Sequence, residues 1–288
     1  MKLDKAGLTQ ITSSGFAVLL TILFTLLFLG ASGYIGLFHN RGITAAMNKS
    51  GYYEGLYQDI TDSTAAVAAE AGLPASVLTD VITLKKVYIN GINSTEALLR
   101  GEEAVILTDS LSEKLKANMN QYIISQGKAV TEETEQRSKA FLDRVRQVYQ
   151  DRLQLKFMRD LYQLRRSYRD RSMLLLPILA VLISVLCFFL IRTQRHFYLG
   201  IRYITCSMIA ASLLILIMGG VLSLIRPFGS LALSPEYYQS FIEAAGAGMI
   251  KVLFLLAQGG LTISLALILV TGYLKSRVSN QLRNIQID

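Results

Sequence analysis

The chain has 288 residues, of which 52% are hydrophobic and only 17% charged, with four prolines and a mean hydropathy of +0.40. An ordinary soluble domain carries about 25% charge, so this balance excludes a disordered or collagen-like chain. Lys and Arg number 29 against 21 Asp and Glu, a net charge of +8; because long uncharged apolar runs interrupt that charge, a membrane surface explains it better than nucleic acid does.

Four runs are long enough to cross about 30 Å of hydrocarbon at about 1.5 Å per helical residue: 15–38, 172–191, 203–225 and 250–273. The first is read as a retained anchor, since its apolar run exceeds the roughly 7–15 residues of a signal-peptide core. With the N-terminus in the cytoplasm, the inner side collects Lys2, Lys5, Arg192, Arg195, Arg202, Lys275, Arg277 and Arg283, and the short outer loop holds only Arg226 and Lys251. Basic residues in short loops stay inside, so both termini are expected in the cytoplasm of a multi-pass plasma-membrane protein.

Segment 39–171 then becomes a large extracytoplasmic domain, expected to be all-helical. Ala71, Gly72, Leu73 and Pro74 carry the marks of a helix end, with Gly suited to the left-handed position and Pro to the start of the next helix. That next helix is expected over 74–89, burying Val77, Leu78, Val81, Ile82 and Leu84. Ser110 and Glu113 have capping-box spacing, and Gly127 closes the helix they begin. Thr131 before Glu132 and Glu133 starts another helix with an acidic first turn. With no Gly or Pro until Pro177, it is predicted to run unbroken into the second span. Leu142, Val145, Tyr149, Leu153, Phe157, Leu161, Leu164 and Tyr168 follow at steps of 3 and 4, forming one apolar stripe.

Charge divides along this domain, from a net of −5 over 39–136 to +7 over 137–171. The leading reading packs an acidic bundle beside a basic helix. A sharper one has Arg159, Arg165, Arg166, Arg169 and Arg171 contact anionic lipid or an anionic wall polymer.

Small and hydroxyl residues line one face of three spans: Thr21, Thr25, Ser32 and Gly36; Thr205, Ser212, Gly219 and Ser223; Ala257, Gly260, Ser264 and Thr271. Such faces let helices approach closely in lipid, and close packing is the leading reading. In the alternative, Thr205, Ser212, Gly219, Gly260 and Ser264, with the intramembrane amide Gln258, line a pore in a homo-oligomer. No span interior holds a carboxylate, which disfavours an ion-coupled transporter.

His39 and His196 fall at opposite membrane faces, while Cys187 and Cys206 read as small core residues within spans. No metal-ligand spacing, phosphate loop or hydrolase motif occurs, so neither enzyme activity nor a cofactor or metal is expected. In the outer loop, Ser234, Pro235 and Glu236 open a short helix through Ile242. It is expected to cover the top of the membrane bundle rather than hinge against the large domain, with Gly246 and Gly248 loosening the chain after it.

One span, a large outer insert and three further spans resemble, in topology, the permease subunits of cell-division and macrolide-export ABC systems, which implies a membrane or ATPase partner. The run Tyr52-Tyr53-Glu54-Gly55-Leu56-Tyr57 leading to Gly72-Leu73-Pro74 is similar to uncharacterised four-helix membrane proteins of Gram-positive bacteria, which implies a cell-membrane location and no particular activity. The functional expectation is a non-enzymatic membrane protein whose outer helical domain binds, senses or scaffolds a partner and is coupled to the membrane bundle by the long second helix. An oligomeric channel or transport subunit is the alternative.

Overall fold

The computed structural model describes residues 5–37, 40–102, 104–127, 131–153, 156–194, 196–229 and 233–285. Lys2, His39 and Arg195 lie outside the described residues, as do the side chains of Lys5, Glu133, Phe157, Arg159, Leu161, Arg277 and Arg283. Among the described residues the chain is all-helical and has no strand. Its helices are α1 (Lys5–Ser32), α2 (Asn40–Lys49), α3 (Tyr52–Glu70), α4 (Leu84–Arg100), α5 (Asp109–Ser125), α6 (Glu132–Leu153), α7 (Lys156–Thr193), α8 (Phe197–Ile225) and α9 (Glu236–Ile285). A π-helix, Gly33–Leu37, follows α1, and a 3-10 turn, Ala75–Leu78, precedes α4. Four stretches, Ile11–Gly36, Tyr162–Thr193, Phe197–Ile225 and Glu236–Ser276, are long and apolar enough to cross a membrane.

The chain forms two compact units. The span unit comprises Met1–Gly42, Ser167–Ser230 and Ala245–Asp288, and the insert unit comprises Ile43–Arg166 and Leu231–Ala244.

In the insert unit, α3 ends where its sequence says it should. Gly72 takes φ +67, its N–H donates to Ala69 O at 3.0 Å, and Leu73 N–H donates to Ala68 O at 2.8 Å, so the last carbonyls are satisfied by the expected glycine cap. The helix expected over 74–89 is instead divided. Asp80 adopts φ 58, the Asn118 amide donates to Val77 O and Thr79 O at 2.9 Å each, and Thr83 caps a fresh helix by accepting from Lys86 N–H at 3.4 Å. Val77, Val81 and Ile82 are buried as expected, but Leu84, now on a helix first turn, is exposed. Thr108, rather than Ser110, precedes α5. Thr131 does begin α6, with Thr134 N–H donating to its hydroxyl at 3.4 Å.

The long apolar stripe holds through α6, where Val145, Tyr149 and Leu153 are buried, and then changes phase. Leu164 is 58% exposed while its neighbour Arg165 is buried. At about 100° per residue, an unbroken helix that buries Leu153 would turn Leu164 inward and Arg165 well away. The buried face is therefore set separately in α6 and α7, and Gln154 and Leu155 between them lie outside the described residues.

The span unit is built on α1 lying along α8. Leu20 and Phe24 of α1, Ile183 and Leu190 of α7 and Ala211 of α8 form one apolar cluster. Ile215 of α8 with Leu253 and Ala257 of α9 forms a second. Outside these seams the polarity is inverted relative to a water-soluble bundle: Leu174, Val181, Phe188, Ile217, Leu265 and Leu269 all face outward. The expected loosening at Gly246 and Gly248 is absent, because α9 runs unbroken from Glu236.

Candidate functional site

The insert unit brings together tyrosines that the sequence reading had not connected. Tyr52 is fully buried and meets Tyr53, Tyr237 and Phe241 edge-on, with ring centroids 5.4, 5.2 and 6.0 Å away. Such edge-to-face pairs add stabilisation beyond their buried area. Tyr237 and Phe241 belong to the start of α9, so the outer-loop helix packs within the insert unit. Gly55 permits this approach, since a Cβ there would stand 2.5 Å from Tyr237 Cβ. The Tyr237 hydroxyl donates to Asp59 at 3.1 Å, and the same carboxylate pairs with Arg152 of α6 at 3.2 Å. Burial pushes the Tyr53 hydroxyl up to about 12 and also holds that of Tyr52 well above the usual phenol value, with neighbouring Tyr238 and Tyr237 adding to it.

Beside this network lies an open cleft of about 1230 Å³ whose walls come from α3, α4, α6 and the first turns of α7. Two polar bonds fasten α4 to α6: Asn90 donates to Tyr149 Oη at 2.9 Å, and Ser94 donates to Leu153 O at 3.1 Å. With Phe141, Val145, Tyr149 and Leu153 turned into the core, the adjoining helical face delivers Arg144, Val148, Asp151 and Arg152 to the cleft.

The corner between α4 and α7 rests on Gly101 and Arg165. Gly101 adopts φ +80, and a Cβ on it would meet the Tyr162 hydroxyl at 2.5 Å. Arg165 donates from Nη1 to Leu99 O at 2.8 Å, satisfying one of the carbonyls that a helix C-terminus leaves unpaired.

Arg144 and Arg166 are exposed on the cleft lining, and neither has an ion-pair partner among the described residues. Glu70 and Asp151 also reach the lining, as do Ala66, Val67 and Leu98. A planar guanidinium presents paired N–H donors that match a carboxylate or phosphate, so two uncommitted arginines give the cleft the chemistry to hold an anionic group beside an apolar one.

The basic cluster expected as one surface is distributed among different tasks. Arg165 is buried as a helix-end donor, Arg166 faces the cleft, Arg169 pairs with neighbouring Asp170 at 3.6 Å, and Arg171 is exposed. Arg159 carries its side chain outside the described residues.

Of the small-residue faces, Thr205, Ser212, Gly219, Gly260 and Ser264 are all buried inside the span unit. Thr205 and Ser264 donate to carbonyls one turn back, Ile201 O and Gly260 O, at 2.9 and 2.8 Å. A Cβ on Gly260 would collide with the Ser212 hydroxyl and meet Phe28 at 3.0 Å. These residues therefore bring α8 and α9 together within one chain, while Gln258 alone of the group is exposed. Cys187 is half-buried and Cys206 exposed, both as free thiols. Among the described residues, no three His, Cys, Asp or Glu side chains are grouped closely enough to hold a metal ion.

The class defined by these features is an all-helical protein with four helices capable of crossing a membrane and a separate compact helical unit bearing a cleft. No family model, curated protein or solved structure matches the chain.

Proposed function

We propose that the chain is a multi-pass plasma-membrane protein, with both termini in the cytoplasm, whose insert unit lies outside the membrane and binds an anionic ligand in the cleft. The observation that carries this reading is the pair of uncommitted guanidinium groups, Arg144 and Arg166, on a lining that also offers hydroxyl and apolar surface. Its role is recognition or sensing rather than catalysis. Helices α7 and α9 each contain residues of both units, which supports coupling between ligand occupancy and the membrane-spanning helices. An anionic wall polymer or lipid headgroup supplies the required phosphate chemistry.

Binding of polyglycerol phosphate to the full chain in nanodiscs tests the ligand class, with an uncharged polymer of equal length as control. The joint variant Arg144→Ala and Arg166→Ala is expected to lose about tenfold or more in affinity, since charge-assisted hydrogen bonds contribute roughly 1.5–3 kcal/mol each. Equal affinity in the variant and the parent sinks the cleft reading. Topology is checked by Lys116→Cys in a chain lacking Cys187 and Cys206. An impermeant maleimide should label it in intact cells, and protection there overturns the orientation.

A further inference from the structure

We infer that α9 is the contact helix of a parallel homodimer, with Gln258 as its polar register pin. The inference rests on the membrane reading. On α9, Lys251, Leu255, Gln258, Thr262, Leu265 and Leu269 follow at alternating steps of four and three, and every one of them is exposed. Over 251–265 the four steps average 3.5 residues, the spacing of a left-handed helix-pair seam. Internal packing uses the other side of α9, where Leu253, Ala257, Gly260 and Ser264 are buried. The seam therefore remains free after the chain's own helices have packed.

Gln258 identifies the occupant. Its side-chain amide lies near the middle of the apolar stretch 250–273 and has no hydrogen-bond partner among the described residues. The Thr262 hydroxyl is already committed to Gln258 O at 2.9 Å. Hydrocarbon offers neither donor nor acceptor, so an outward amide at that depth demands a partner on another helix. A carboxamide has both an N–H donor and an oxygen acceptor and is thus its own complement. Copies of one chain insert in the same direction, so a two-fold axis normal to the membrane brings Gln258 opposite Gln258 and repeats the leucine contacts in register. A second copy consequently satisfies the amide and covers the seam with one set of residues.

Oxidative crosslinking of single-cysteine chains in native membranes tests this, again with Cys187 and Cys206 removed. Cysteines at Leu255, Thr262 and Leu265 should form homodimer crosslinks at least about fivefold more readily than cysteines at Ile263 and Ile268. Both controls are exposed on α9 off the seam. In the Leu255→Cys chain, Gln258→Leu should reduce crosslinking by roughly three- to tenfold and Gln258→Asn should retain most of it, the range expected of one hydrogen-bonded contact between membrane helices. Retention of the chain through an alkaline carbonate wash with equal crosslinking on and off the seam overturns the dimer alone. Release in that wash overturns the membrane reading and the dimer with it. Crosslinks to a chain of different mass overturn the second copy as occupant, and an unchanged yield in Gln258→Leu removes the amide from its role.

Discussion

The insert unit and the span unit solve opposite solvation problems with the same kind of helix. In the insert unit the buried side chains include Tyr52, Tyr53, Tyr149, Phe241, Leu56 and Ile60, and among the described residues the charged ones other than Arg165 stay out of the core. In the span unit the buried side includes Ser13, Ser32, Thr205, Ser207, Ser212 and Ser264, while leucine, isoleucine and phenylalanine face outward. Water solvates exposed charge in the first case, so burial selects apolar and aromatic mass. Hydrocarbon does not distinguish an inner leucine from an outer one, so association in the second depends on close approach and hydroxyl bonds. A substitution that removes apolar mass should therefore act strongly in one unit and weakly in the other.

The largest effect is expected from Leu56→Ala. Leu56 is fully buried in the insert unit, and truncating such a leucine costs about 2–5 kcal/mol through lost burial and an unfilled cavity. Leu174→Ala, 63% exposed in the span unit and off the α9 seam, should stay within about 0.5 kcal/mol. Thermal unfolding in detergent measures both. Similar losses at the two sites would dissolve the contrast between the units.

Alkali should act next, and on the insert unit specifically. Burial holds the Tyr53 hydroxyl up to about 12, above the value of about 10 for an exposed tyrosine. The folded state therefore retains a proton that the unfolded state releases, and stability falls as pH rises from about 10 through 12. The loss attached to Tyr53 is on the order of 2–3 kcal/mol. Tyr53→Phe should flatten that part of the pH profile, whereas an unchanged slope would assign the alkaline loss elsewhere.

Two tyrosines in the same unit should respond in opposite directions to removal of the hydroxyl. Tyr149 accepts from Asn90 at 2.9 Å, so Tyr149→Phe leaves one N–H of that buried amide unpaired while the amide keeps Leu107 O at 3.2 Å, and is expected to cost about 1–2 kcal/mol. The Tyr52 hydroxyl is buried without a hydrogen-bond partner among the described residues, so Tyr52→Phe should be neutral or raise the unfolding midpoint. A clear loss in Tyr52→Phe would reveal a partner for that oxygen.

The two units also differed in how much their sequences disclosed. Apolar length alone marked all four spans, because a 3.6-residue helix must fill a fixed thickness with uncharged side chains. The glycine cap at Gly72 and the start of α6 at Thr131 were equally legible, since each depends on a few neighbouring residues. What escaped was set by distant partners. Asn118 holds the turn that divides 74–89, and Asn90 and Ser94 tie α4 to α6. Arg165 looked like part of a surface cluster until the end of α4, 66 positions earlier, gave its guanidinium a carbonyl to satisfy. The cleft was illegible for the same reason: Arg166 stood out only as one of a juxtamembrane cluster, and Arg144 only as one charge among many. In the outer loop, Tyr237 and Phe241 were read as a surface helix because nothing local to them points to Tyr52.

Ser207 offers the smallest and most discriminating change. Its hydroxyl lies 2.8 Å from Ala17 O on α1 and 2.9 Å from Tyr203 O on its own helix, so it can bridge α8 to α1 or fold back. In Ser207→Ala the α1 carbonyl keeps its bond along its own helix, and the side chain remains small enough for the same close approach. The expected cost is therefore about 0.6 kcal/mol, the average measured for hydrogen bonds between membrane helices. Ser207→Leu keeps no such approach and should cost more, through separation of α1 from α8 rather than through the lost bond. Unfolding midpoints that rank parent, Ala and Leu in that order would make close packing the main source of cohesion in the span unit. A drop in Ser207→Ala as large as in Ser207→Leu would transfer that role to the hydroxyl bond itself.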